Sequence, residues 1–328
     1  MNSSFRRRLI CPIGLAALCV AQGALAQGAK SYPDRLVRVV IGYSPGGLPD
    51  TIARLVGQKL GERWGQQFVV ENRPGANGIV AAELVAKAAP DGYTLLMTDN
   101  STTAINPFLY SKLPYDAEKD LVPASFTARA PLFLAVHPSV AANSFDELIA
   151  LIKANPGKLA YGSSGIGSTH HLCMEFLKSA LGLDMTHIPY KGTGQSVPAL
   201  VAGQVPMVLS GYPSLAAYAK DGRVKLLAIN SLKRSGLAPN VPAIAETVPG
   251  FDFAPTFGFF APGGTPKDIL AKFGADVAEV VKLPEVAERM KNLGIDPVGG
   301  SGEEWAPMLK ADAERYAKAV KVSGAKVD

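Results

Sequence analysis

The sequence predicts an α/β protein with two lobes. Short apolar segments alternate with amphipathic segments of helical length along the chain, which is the pattern of strands separated by helices. A strand that ends in a loop rich in serine and glycine and leads into a helix occurs twice, at 41–51 and again at 159–170. A cleft between two such lobes would bring both loops onto one ligand.

The predicted elements follow from residue type and periodicity. Apolar runs rich in β-branched and aromatic residues predict strands at 37–41, 68–70, 94–97, 132–136, 159–161, 185–188, 207–209, 225–229 and 258–260. Apolar residues at helical spacing predict helices at 51–63, 78–88, 145–154, 169–181, 195–202, 213–221, 266–281 and 303–320. Because helices separate the strands, we expect largely parallel sheets.

The first 26 residues have the pattern of a secretory signal peptide. Arg6, Arg7 and Arg8 precede an apolar stretch at 9–20, and Ala24-Leu25-Ala26 is a small-x-small cleavage site. We therefore expect cleavage after Ala26 and export to the periplasm. No later apolar run is long enough to cross a bilayer.

Charge and cysteine content narrow the class of protein. Loss of the three leader arginines lowers the formal net charge from +5 to +2, and no basic block remains, so nucleic acid is not an expected partner. Cys11 and Cys19 would leave with the leader, and Cys173 would have no disulfide partner. We expect a monomer stabilised by packing.

The first loop has the features of an anion-binding site. The apolar run Val39-Val40-Ile41 ends at Gly42 and is followed by a Gly/Pro loop up to Asp50, which is predicted to be the N-cap of the next helix. Free N–H groups and the positive end of the helix dipole at the carboxyl end of a strand favour an anion.

The same loop contains a Gly-x-Ser-x-Gly pattern with Ser44 as the central serine, so a secreted serine hydrolase is one alternative function. Two observations disfavour it. Pro45 has no N–H to donate to an oxyanion hole, and no histidine follows His187, whereas the triad order of that fold ends in histidine.

Other motifs give weaker hypotheses. The loop after Tyr161 lacks the Gly-Lys-Ser/Thr ending of a phosphate-binding loop. His170 and His171 are adjacent and about 100° apart on a helix, so they cannot easily share a metal ion. His171 is expected to pack near the loop, and His170 to face solvent or the cleft. The sequence therefore predicts no catalytic group, metal or cofactor.

The chain resembles the Bug family, the solute receptors of tripartite tricarboxylate transporters. The resemblance rests on short motifs in a fixed order: Tyr32-Pro33, Arg38-Val39-Val40, Pro45-Gly46-Gly47 with Asp50, Val70 to Ala76, Pro90 to Leu96, Tyr161 to Thr169, Tyr190-Lys191-Gly192, Val241 to Glu246 and Pro249-Gly250-Phe251.

The resemblance implies a type II periplasmic-binding-protein fold with the ligand cleft between two lobes. The first lobe would comprise 27–127 with 250–328, and the second 128–249. It also implies a small organic carboxylate as ligand and the membrane permease of such a transporter as partner. A sensor subunit that presents its ligand to a signalling protein is a further alternative.

Together, the loops and the resemblance predict these ligand-binding residues: Tyr43, Ser44, Pro45, Gly46, Gly47, Asp50, Thr98, Ser163, Ser164, Gly165, Ser168, Thr169 and Tyr190. Four residues, in three segments, depart from the family pattern. Leu48-Pro49 would narrow the cleft mouth, Pro206 replaces a common Asp, and Phe257 stands where Trp is frequent.

Overall fold

A computed structural model describes residues 32–327. The predicted signal peptide lies outside the described residues. The strands are β1 (Val37–Ile41), β2 (Phe68–Asn72), β3 (Thr94–Asp99), β4 (Leu121–Arg129), β5 (Leu132–Val136), β6 (Ala160–Ser163), β7 (Thr186–Pro189), β8 (Met207–Gly211), β9 (Lys225–Ile229), β10 (Thr256–Pro262) and β11 (Asp296–Ser301).

The helices are α1 (Leu48–Trp64), α2 (Ile79–Ala86), α3 (Ser101–Ala104), α4 (Asn106–Leu109), α5 (Phe145–Ala154), α6 (Thr169–Leu181), α7 (Thr193–Val201), α8 (Tyr212–Lys220), α9 (Lys267–Lys282), α10 (Pro284–Asn292) and α11 (Gly302–Ser323). No helix in residues 32–327 is long and apolar enough to span a membrane.

The strands form two sheets, one in each lobe. The first sheet has the order β11-β4-β10-β3-β1-β2, and the second has the order β7-β6-β8-β5-β9. Parallel pairs join β1 to β2 and β3, and β6 to β7 and β8. The remaining pairs, which involve β4, β5, β9, β10 and β11, are antiparallel. The prediction of largely parallel sheets was therefore wrong, and both sheets are mixed.

Several elements were not predicted. The strand β4 carries Pro123 and alternates polar with apolar residues, and β11 contains Pro297 and two glycines, so neither is a simple apolar run. The bulges in the pairing of β4 with both neighbours accommodate these residues. The short helices α3 and α4 span four residues each, too few to show an apolar period. The helix α10 is polar on average and buries only Val286 and Met290, so it has few apolar residues to reveal it.

Two crossover segments connect the lobes, one between β4 and β5 and one between β9 and β10. They are bonded to each other: the Leu132 N–H donates to the Asn230 Oδ1 (2.7 Å), and the Ala130 N–H donates to the Pro255 carbonyl (3.0 Å). Arg129 at the end of β4 also pairs with Asp252 at 2.6 Å. The two crossovers therefore lie side by side. The lobe boundaries predicted from the sequence, 27–127 with 250–328 and 128–249, remain a proposal.

The geometry of the sheets determines where the helices begin. The carboxyl ends of parallel strands lie at the same edge of a sheet. In the second sheet β6 is parallel to both β7 and β8, so these three strands end at one edge. The helices α6, α7 and α8 follow these three strands. Their first turns therefore lie together at the edge of the second lobe that faces the first.

Candidate ligand cleft

A cavity of about 430 Å³ lies between the lobes. None of its lining residues is Lys or Arg, and the lining mixes hydroxyl groups, glycines and apolar side chains. They are Tyr43, Gly46, Gly47, Leu48, Pro49, Asn77, Asp99, Ser101, Leu132, Ser164, Ser168, Thr169, His170, Gly192, Thr193, Gly211, Pro213, Ser214, Pro255 and Phe257.

The first loop connects β1 to α1, and its helix begins earlier than predicted. Gly47 is the N-cap, with extended backbone angles, and Pro49 occupies the first turn, where proline is tolerated. The prediction of Asp50 as N-cap was therefore wrong. The Asp50 carboxylate lies in the first turn instead, where it accepts a hydrogen bond from the Gly46 N–H at 2.9 Å.

Asp50 holds this loop in place. It is 4% exposed, and it also accepts hydrogen bonds from Arg54 Nε and Asn72 Nδ2 at 3.0 Å. Burial raises the pKa of Asp50, but the hydrogen bonds from Arg54, Gly46 and Asn72 more than offset it, so the pKa is lowered. The Gly46 N–H is therefore occupied, whereas the Leu48 N–H has no hydrogen-bond partner in residues 32–327.

The second loop connects β6 to α6 and is closed by its own hydrogen bonds. Ser168 is the N-cap: its hydroxyl accepts from the His171 N–H (3.2 Å) and donates to the Gly165 carbonyl (2.7 Å). The Gly167 N–H donates to Nδ1 of His171 (3.1 Å). The first-turn N–H groups of Thr169 and His170 have no partner in the part of the chain that the structure describes.

Two further helix starts line the cleft. The sequence pointed to the segment before α7 through Tyr190-Lys191-Gly192, but it singled out no binding residue at the start of α8. Gly192 and Thr193 stand at the beginning of α7, and Gly211 with Pro213 at the beginning of α8. With α1 and α6, four helix N-termini converge on one cavity. Each helix contributes the equivalent of about half a positive charge at this end, so the cleft attracts anions without Lys or Arg.

One carboxylate lines the same cavity. Asp99 ends β3, and its Oδ1 accepts hydrogen bonds from the Tyr43 hydroxyl (2.9 Å) and the Ser101 N–H (3.1 Å). Burial raises the pKa of Asp99, and burial with the neighbouring Asp99 raises the pKa of Tyr43 well above its usual value. Sequence reasoning missed Asp99 because a lone Asp after a strand has no distinctive motif.

Three histidines lie behind or beside the second loop. His171 stacks on His187 with ring centroids 3.9 Å apart, and the Ser163 hydroxyl lies 2.6 Å from Nε2 of His187. His170 lines the cleft, with its Nδ1 at 2.8 Å from the Ser164 hydroxyl. Burial lowers the pKa of His170 to about 4, and burial with the neighbouring His171 lowers that of His187 to about 4. All three rings are thus expected to be neutral at pH 7.

These pKa shifts predict that acid destabilises the fold. The unfolded chain binds protons on His170 and His187 below about pH 6.5, whereas the folded chain binds them there only near pH 4. The free energy of unfolding should therefore fall with pH in this window, by up to about 1.4 kcal/mol per pH unit for each histidine. Urea denaturation between pH 6.5 and 5 measures it. His187→Asn should reduce the slope, and an unchanged slope would contradict the prediction.

Comparison with known proteins decides the family. Residues 52–324 match the family described as tripartite tricarboxylate transporter family receptor. The chain belongs to this family. BugT of Bordetella pertussis (strain Tohama I) is 34% identical over 322 residues, which cover 98% of this chain and 98% of BugT. The predicted relation to the Bug family is confirmed.

Solved structures of similar proteins support the same conclusion for the fold. The structure of R. palustris Rpa4515 with adipate has a TM-score of 0.81 and 34% identity, over 90% of this chain and 100% of that chain. MatC (Rpa3494) from Rhodopseudomonas palustris, with bound malate, has a TM-score of 0.76 and 31% identity, over 88% and 100%. The two-lobe fold of periplasmic binding proteins, predicted from the sequence, is confirmed.

In this receptor-family chain, the predicted binding residues fall into two groups. Those that line the cleft are Tyr43, Gly46, Gly47, Ser164, Ser168 and Thr169. Those that do not line it are Ser44, Pro45, Asp50, Thr98, Ser163, Gly165 and Tyr190. Leu48, Pro49 and Phe257, three of the positions that depart from the family pattern, also line the cleft.

The residues outside the cleft lining have other positions. Thr98 is buried, with its hydroxyl 2.8 Å from that of Thr102. The Tyr190 ring packs against Gly162, where an added Cβ would lie 3.1 Å from it. Ser163 and Gly165 bond to each other inside the second loop. These four residues lie behind the surface of the cleft. Direct contact between the ligand and any of the predicted residues stays a proposal.

The hydrolase and metal hypotheses find no support in the described residues. Ser44 and Pro45 are exposed, and no histidine in residues 32–327 hydrogen-bonds to Ser44. Family and fold are those of solute-binding receptors. Over the same residues, no cluster of His, Cys, Asp or Glu could hold a metal ion. The remaining cysteine, Cys173, is free and buried.

Proposed function

We propose that this protein is a periplasmic receptor that captures a small organic carboxylate in the cleft and delivers it to the permease of a tripartite transporter. The observation that supports this most strongly is the convergence of four helix N-termini on a cavity without Lys or Arg. The similar proteins whose structures contain adipate and malate support a carboxylate as the ligand.

The carboxylate would be held by short-range contacts. The free N–H groups of Leu48 in the first lobe and of Thr169 and His170 in the second would donate to its oxygens. Hydrogen bonds to a charged group contribute about 1.5–3 kcal/mol each. Because contacts come from both lobes, the ligand would bind the closed state more tightly than the open state. This difference in affinity shifts the equilibrium between open and closed receptor towards the closed state. The closed receptor, as a monomer, is what the permease would recognise.

The test is a thermal-shift screen of mono- and dicarboxylates, followed by calorimetry. A ligand present at 100 times its Kd adds about 2.7 kcal/mol of stability. The acid should bind at least about ten-fold tighter than its uncharged amide, because the amide gains less from the helix dipoles. Equal affinity for acid and amide would refute the proposed site.

A matched pair of variants tests the second loop. Ser164→Ala should weaken binding about ten-fold, since it removes a cleft hydroxyl that also orients His170 at 2.8 Å. Ser139→Ala is the control, because Ser139 makes the same type of contact with His137 at 2.7 Å but does not line the cleft. Ser139→Ala should bind the ligand like the wild type.

Export to the periplasm is the second part of the proposal. The arginines at 6–8 and the small residues before Gln27 predict a mature chain that begins near Gln27. Mass spectrometry of the periplasmic fraction measures this directly. A mature chain that retains Arg6–Arg8 would contradict the prediction.

A further inference from the structure

Asp99 lines the cleft with one carboxylate oxygen unused. Its Oδ1 accepts hydrogen bonds from the Tyr43 hydroxyl, the Ser101 N–H and the Ser101 hydroxyl. Burial raises the pKa of Asp99, whereas the three donors on one oxygen favour its ionised form, which we take as the form present at pH 7.5. Its Oδ2 accepts no hydrogen bond from another residue in the range 32–327, so an acceptor remains for a molecule in the cavity that Asp99 lines.

The charge of the cleft limits what this acceptor can contact. Asp99 is a carboxylate among lining residues that include no Lys or Arg. One carboxylate of a ligand can lie at the helix starts, where N–H groups are free. A second carboxylate in the same enclosed space would face Asp99 without a cation between them, and like charges repel strongly where water is excluded.

The surroundings of Asp99 suit the carbon body of a ligand. Phe257 of β10 is paired with Asp99 of β3 in the first sheet, and Pro255 and Leu132 line the same cavity. An apolar chain could therefore pack against this wall while its polar end reaches Asp99. The matching polar end must donate a hydrogen bond, because an ionised carboxylate only accepts.

We propose that Asp99 is a specificity-determining residue, whose free oxygen accepts a hydrogen bond from an ammonium or hydroxyl group of a monocarboxylate ligand and disfavours dicarboxylates. This proposal rests on the carboxylate-binding function proposed above and narrows its ligand class. The receptor would then take amino or hydroxy acids in which the donor is separated from the carboxylate by a short carbon chain.

Two series of acids of equal chain length test the proposal by calorimetry at pH 7.5. The six-carbon series is adipate, 6-aminohexanoate, 6-hydroxyhexanoate and hexanoate, and the four-carbon series is succinate, 4-aminobutanoate, 4-hydroxybutanoate and butanoate. In at least one series, the amino or hydroxy acid should bind the wild type at least about ten-fold tighter than the dicarboxylate and the plain acid. Either donor supports the proposal, and their affinity ratio distinguishes ammonium from hydroxyl.

Asp99→Asn is the decisive variant, because it removes the charge while preserving size and the Oδ1 acceptor. It should reduce the preference for the donor-bearing acid over the dicarboxylate at least about ten-fold. Asp184→Asn removes the same charge from an exposed position outside the cleft and should leave the preference unchanged. Circular dichroism and the melting temperature of each variant show that it is folded.

The failures of the two proposals are distinguishable. If the dicarboxylate or the plain acid binds the wild type as tightly as the donor-bearing acid, the Asp99 proposal is overturned and carboxylate binding stands. The same holds if Asp99→Asn leaves the preference unchanged. If no acid of either series and no carboxylate of the thermal-shift screen binds, the proposed function fails and the role of Asp99 fails with it.

Discussion

Gly42→Ala is expected to lower the free energy of unfolding by about 3 kcal/mol or more. Gly42 follows β1 at the start of the first loop, and a Cβ added there would lie 2.5 Å from the Cα of Gly78. The neighbour is backbone, so no side chain can rotate away. Either β1 or the start of α2 must move, and both support the cleft.

Urea denaturation of Gly42→Ala and of the wild type measures this effect. Gly194→Ala is the matched control, because Gly194 is exposed in α7 and an added Cβ has no heavy atom within 4 Å. Alanine is a better helix former than glycine, so the free energy of unfolding of Gly194→Ala should be about 0.5–1 kcal/mol higher than that of the wild type. Equal stability of Gly42→Ala and the wild type would show that the two backbone segments separate easily.

Asp50→Ala is expected to cost about 2–3 kcal/mol of stability and at least about ten-fold in ligand affinity. The carboxylate is buried and joins Gly46, Asn72 and Arg54 through hydrogen bonds of 2.9–3.1 Å. Its removal leaves the Gly46 N–H without a partner and takes away one of the two acceptors of the Asn72 amide, which also donates to the Tyr43 carbonyl. The first loop then loses the contacts that position the Leu48 N–H towards the cleft.

Denaturation and calorimetry together measure both losses. Asp50→Asn keeps an acceptor for the Gly46 N–H. Its free energy of unfolding and its ligand affinity should therefore lie between those of the wild type and Asp50→Ala. Asp184→Ala, at an exposed site, should change stability by no more than about 0.5 kcal/mol. If Asp50→Ala lost stability but kept full affinity, the first loop would not take part in binding.

The strands and helices with simple periodicity were predictable from the sequence. The helices α5 and α6 have the predicted bounds, since Ser144 and Ser168 cap them and their apolar residues recur at helical spacing. By contrast, β4 and β11 contain proline and polar residues and depend on pairing with distant strands. Such pairing decides structure where local propensity is weak.

The cleft was predictable only in part, for a related reason. Ser164, Ser168 and Thr169 belong to a motif, so their place at the cleft could be inferred from one segment. The starts of α7 and α8 and Asp99 reach the cleft because β3, β7 and β8 end at the edges that face it. That position depends on strand order, which a single sequence does not reveal.

The order of strands also determines the sequence in which the sheets can be completed during synthesis. All strands of the second sheet, from β5 to β9, lie in one continuous stretch, so that sheet can assemble as soon as β9 is available. In the first sheet, β4 pairs only with β10 and β11, which are made after the whole second sheet. Until then β4 has no partner and β3 has an open edge. This interval is when the nascent chain is most exposed to mispairing and aggregation.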